Sequence, residues 1–131
     1  MTYKFEKYFP YEKPRLQQVE AIQKALKAFI EEDKRFVILE AGTGVGKSAI
    51  GLTVARYLNR NLNVVDEEVG GGSYFLTTQR ILQEQYEKDF GGHRGDMCSL
   101  YSASNYKCGY HKKNNCKTSQ QMLRTEKKGS S

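Results

Sequence analysis

Three observations predict an α/β fold built on a parallel sheet. Apolar residues recur at helical spacing in three separate segments, and two short apolar or aromatic runs of strand length stand between those segments. A glycine-rich stretch joins the first run to the second helical segment. The order is helix, strand, loop, helix, strand, helix, which is the alternation of a parallel sheet covered by helices. The 131 residues and 38% apolar content suit a chain about the size of one compact domain.

Each element has its own signal. Val19, Ile22, Leu26, Phe29 and Ile30 share one face of a helix over Leu16–Ile30, with Pro14 just ahead of it where proline is tolerated. Phe36–Leu39 is wholly apolar, the pattern of a buried parallel strand. Ile50, Val54, Tyr57 and Leu58 define the second helix. The segment Asn59–Ser73 begins polar and closes on three glycines, so it reads as a flexible connection, and Tyr74–Thr78 reads as the next strand. Ile81, Leu82, Tyr86 and Phe90 mark a third helix ended by Gly91-Gly92. Beyond Gly95 the periodicity fades, and a separate small module rich in Lys, Ser, Asn and Cys is expected over residues 96–131.

Charge and cysteine usage narrow the setting. From Lys107 onward seven basic residues face one acid, which accounts for the whole net charge of +6. The tail is either a patch suited to a polyanion or a solvated, partly disordered end. No run approaches the roughly 20 apolar residues of a membrane span, and the N-terminus has no apolar signal core. Three cysteines argue against a disulfide framework, so a reduced cytoplasmic location (nuclear in a eukaryote) is expected.

Ala41–Ser48, AGTGVGKS, fits the phosphate-binding P-loop pattern except that Ala41 stands at the first glycine position. The expected sites are Ala41, Gly42, Thr43, Gly44, Val45, Gly46, Lys47 and Ser48. Backbone amides from Thr43 to Lys47 would form a concavity for phosphate oxygens, with Gly44 and Gly46 permitting the tight path. Lys47 would neutralise the β- and γ-phosphates and act catalytically, Ser48 would ligate magnesium, and the helix start would add its positive end. ATP with Mg²⁺ is the expected ligand. The acidic cluster Asp66-Glu67-Glu68 follows too soon after the P-loop helix for a magnesium-holding strand end, and reads as loop charge.

Four segments together resemble the XPD/DinG-like branch of superfamily 2 iron–sulfur DNA helicases. EAGTGVGKS is similar to motif I, where alanine at the first position is ordinary. FPYEKPRLQQVEAI (Phe9–Ile22) is similar to the lead-in, with Arg-x-x-Gln at Arg15 and Gln18. LTTQRILQEQ (Leu76–Gln85) looks like motif Ia, and SNYKC (Ser104–Cys108) resembles the opening of the iron–sulfur domain. The resemblance runs from about Tyr8 to Cys116 in the family's order. It implies a partial RecA-like P-loop NTPase domain over residues 1–95, then the start of a Cys-containing metal-binding module and basic tail over 96–131. It also implies adenine-side contacts at Arg15 and Gln18 and DNA contacts, on a single strand, at Thr77, Thr78, Gln79 and Gln85. Read without it, Arg15 and Gln18 are exposed polar residues, and Thr78 is a candidate helix cap.

The same resemblance makes Cys108 and Cys116 two ligands of a 4Fe–4S cluster. A Cys₄ set needs four, so two would lie beyond Ser131. Cys98, Cys108, His111 and Cys116 form a rival Cys₃His set for zinc, and plain thiols are the third possibility. No acidic DEAH-type box or second lobe is recognisable after Cys116. The expectation is therefore the N-terminal portion of an ATP-dependent DNA helicase whose remaining part lies elsewhere. A small stand-alone P-loop enzyme and a catalytically silent nucleic-acid-binding module are the alternatives.

Overall fold

A computed structural model of the chain describes residues 2–61, 72–91, 97–109 and 115–129. Asp66-Glu67-Glu68 and His111 lie outside them. Four α-helices form among the described residues: α1 (Leu16–Ile30), α2 (Lys47–Asn61), α3 (Arg80–Tyr86) and α4 (Cys116–Gly129). The chain divides into two compact units, Met1–Phe75 and Leu76–Ser131.

The first unit is organised by α1 and α2. Ile22 and Leu26 of α1 are fully buried, and Ile50 and Val54 of α2 pack into the same core. Val19, Phe29, Ile30, Tyr57 and Leu58 line its margin, so the apolar faces legible in the sequence are the faces the helices bury. The N-terminal arm completes this core, which its charged composition does not advertise. Tyr3, Phe5 and Phe9 belong to the core cluster, and Glu6–Tyr8 forms a 3₁₀ turn ahead of Phe9. The arm is pinned to α1 by paired bonds: the Tyr3 amide donates to Gln23 Oε1 at 2.9 Å, and Gln23 Nε2 donates to the Tyr3 carbonyl at 2.8 Å. Tyr3 and Tyr8 each set their rings edge-on to Tyr57 of α2.

The expected parallel sheet does not form among the described residues, which include no strand. Phe36–Leu39 and Tyr74–Thr78 belong to no helix and to no ladder. Exposure along the first run alternates at 87, 37, 95 and 44%, and Tyr74 and Leu76 are 93 and 90% exposed. A strand is defined by bonds to a neighbour, and apolar pattern alone supplies none. One antiparallel bridge, between Lys107 and Asn115, is the only isolated pairing among the described residues.

In the second unit α3 runs into a single π-helical turn, Glu87–Gly91, that buries Phe90. The third helix thus ends near the expected glycines, in a wider turn than periodicity implies. In the tail, residues 116–129 are helical. Asn115 starts that helix: its Oδ1 accepts from the Thr118 amide at 2.9 Å and from the Thr118 hydroxyl at 3.0 Å.

Candidate nucleotide-binding site

The glycine-rich stretch lies where a helix begins, with Lys47 as the first residue of α2. Gly44 and Gly46 take φ of +83° and +81°. This left-handed region is cheap only for glycine, which accounts for glycine at these two positions. Gly46 has a second reason: a Cβ there would run into the Gln18 side-chain amide. Thr43 and Gly44 form the turn at the loop's apex. Val45 is the loop residue that packs against the core and ties the loop to it.

The polar groups needed for phosphate are gathered here. Lys47 is exposed, and its Nζ donates to the Ala41 carbonyl at 3.1 Å, so the amine reaches back across the loop. Ser48 is half-buried at the first turn of α2, one residue beyond Lys47. The amides at the start of a helix have no intrahelical acceptors and carry the positive end of its dipole. A loop with glycines at positive φ, a lysine and a hydroxyl at such a start can hold a polyphosphate and its cation.

Two residues outside the loop close on it. Arg15 Nη1 donates to the Gly44 carbonyl at 2.9 Å, and Gln18 Nε2 lies 3.5 Å from the Gly46 carbonyl. Arg15 is the N-cap residue of α1, and its own amide donates to Gln18 Oε1 at 2.9 Å. Gln18 is buried, not exposed as an isolated reading of the sequence would have it. Sequence reasoning picked out both residues, and the structure brings both to the P-loop backbone.

The other expected site residues lie in the second unit. Thr77 is half-buried and its hydroxyl lies 3.5 Å from the Gln79 amide, while Thr78, Gln79 and Gln85 are exposed. The cap position of α3 is Gln79, so Thr78 is not the helix cap. Arg80 is the residue that the site reading overlooked. Its guanidinium bonds Glu84 and Asn105, both at 3.0 Å, and lies 5.2 Å from the centre of the Tyr101 ring. The segment Leu76–Gln85 and the SNYKC segment are thereby joined through one side chain. Asn105 in turn donates to the hydroxyl of Ser102, which precedes the turn Ala103–Asn105, at 2.8 Å.

Cys98 is exposed and Cys108 half-buried. No group of three potential metal ligands occurs among the described residues. A 4Fe–4S cluster on this chain alone does not fit, since three cysteines cannot supply a Cys₄ set.

A family model described as type III restriction enzyme, res subunit, matches residues 11–130, nearly the whole chain. The chain belongs to that family. No curated protein and no solved structure matches it. The res-subunit family carries a superfamily 2 helicase-like P-loop NTPase domain, so the coarse class is an ATP-binding, helicase-like module. No helix among the described residues is long and apolar enough to cross a membrane.

Proposed function

We propose that the chain is the ATP-binding N-terminal portion of an ATP-dependent DNA helicase, with residues 1–95 as the nucleotide-binding part. The intact protein would couple ATP hydrolysis to unwinding or translocation. The observation that carries this reading is the loop 41–48, which combines two glycines at positive φ with a helix start and Lys47 reaching across it. The Lys47 amine would exchange the Ala41 carbonyl for β- and γ-phosphate oxygens, and the Ser48 hydroxyl would hold magnesium. Arg15 and Gln18 would lie on the adenine side of the loop, with Gln18 as the residue that meets the base. Thr77, Thr78, Gln79 and Gln85 would meet the backbone of a single DNA strand, by hydrogen bonds that carry no sequence information.

The XPD/DinG-like assignment is the finer part of this reading. It rests on the order of motif I, motif Ia and SNYKC in the sequence, and residues 96–131 would begin the metal-binding module. Cys108 and Cys116 would be two of four iron–sulfur ligands, the others coming from outside this chain, with zinc on Cys98, Cys108, His111 and Cys116 as the alternative. Metal analysis of chain purified without oxygen separates the two by iron or zinc content.

Turnover tests the main reading. Hydrolysis needs an acidic group on another strand to hold magnesium and a partner to orient water, and Asp66-Glu67-Glu68, read as loop charge, would not supply the first. The chain is expected to bind ATP and hydrolyse almost none, with or without single-stranded DNA. Steady turnover by the 131 residues, abolished in Lys47→Ala, would show a self-sufficient enzyme and contradict the assignment as one portion of a motor.

One observation favours the silent nucleic-acid module as a second reading. The tail forms a helix with Lys117 and Arg124 exposed. That reading expects DNA binding that weakens steeply with salt, survives Lys47→Ala and is lost when residues 107–131 are removed.

A further inference from the structure

Arg15 invites an adenine-side role, yet its guanidinium is engaged with the loop. Nη1 meets the Gly44 carbonyl at the apex turn, on a residue with φ of +83°. Gly42, Thr43 and Gly44 are exposed, and a Cβ at Gly42 or Gly44 would find nothing within 4 Å. Packing therefore does little to hold the apex. Arg15 itself is well held: it caps α1, its amide is bonded by Gln18, and α1 is anchored by the fully buried Ile22 and Leu26.

Resting on the P-loop reading, we propose that Arg15 is a positioning residue for the phosphate-binding loop. It ties the Gly44 carbonyl to the start of α1, and so biases the adjoining amides towards the phosphates before any ligand arrives. A carbonyl that swung into the cradle would repel phosphate oxygens, and a loop ordered in advance loses less freedom on binding. Arg15 acts on the phosphates through the loop, so its effect is blind to the base.

The test compares wild type, Arg15→Met and Arg15→Lys in the full chain. Calorimetry with magnesium measures affinity for ATP, GTP and inorganic triphosphate. Hydrogen exchange reports the loop amides of residues 42–46 without any ligand. Arg15→Met should weaken all three ligands by one common factor, roughly threefold to tenfold for an exposed charge-assisted bond. It should also speed exchange in the loop while leaving α2 unchanged. Arg15→Lys, which can still donate to one carbonyl, should fall between the two. A loss confined to ATP would mean a direct adenine contact and overturn the proposal, as would unchanged loop exchange. Failure of the P-loop reading has a different signature: Lys47→Ala would leave triphosphate binding intact.

Discussion

At the scale of single residues, the loop glycines are not equivalent. Gly46 combines a positive φ with contact to Gln18, whereas Gly42 has neither constraint. Gly46→Ala should cost about 1–3 kcal/mol in denaturant unfolding, from backbone strain and displacement of Gln18. Gly42→Ala should stay within about 0.5 kcal/mol of wild type, and equal costs at the two positions would contradict this account. Tyr3 offers a titration at the same scale. Its hydroxyl donates to Glu31 at 2.6 Å, and that bond, with burial, pushes its pKa from 10.0 up to about 12. The folded state therefore keeps a proton that the unfolded state releases. This contribution to stability is complete below pH 10 and is lost as pH rises towards about 12. Thermal unfolding followed across that window should show a steeper fall for wild type than for Tyr3→Phe. The P-loop residues were legible because each has a fixed chemical task at a fixed spacing. The Gly44 and Gly46 contacts of Arg15 and Gln18 were not, because they depend on where α1 ends up.

Helices and apolar runs behave oppositely at the scale of elements. The first helix was readable to its end residues, because its 3.6-residue period and the proline before it are local signals. The helix over Cys116–Gly129 was missed because it is almost all polar, although Asn115 is a good cap and the stretch beyond Ser119 holds the helix formers Gln120, Gln121, Met122, Leu123 and Arg124. The N-terminal arm was missed for a different reason. Tyr3, Phe5, Tyr8 and Phe9 follow no single period, and tertiary packing alone gathers them. Burial sets the energetic contrast. Leu26→Ala, in the centre of the first unit, should cost about 2–5 kcal/mol. Ile38→Ala, at a position 95% exposed, should change stability by no more than about 0.5 kcal/mol. A large loss at Ile38 would show that Phe36–Leu39 is packed in solution, as the sequence pattern alone expects.

For the molecule as a whole, the helices of the expected α/β alternation are present, whereas its sheet is absent from the described residues. The reason is physical: a helix closes its hydrogen bonds within its own segment, while a strand needs a neighbour. The match over residues 11–130 sets the class as helicase-like, and the loop geometry suits the binding of a polyphosphate. Charge is distributed to suit a polyanion, since the basic excess falls in the last 25 residues. The central claim is that residues 41–48 hold the phosphates of a nucleoside triphosphate, and a comparison of ATP with AMP tests it most directly. Affinities measured by calorimetry with magnesium should favour ATP over AMP by at least about tenfold in wild type, the worth of one or two charge-assisted bonds. Lys47→Ala should erase that preference. Equal affinity for ATP and AMP in wild type, or a preference that survives Lys47→Ala, would contradict the claim.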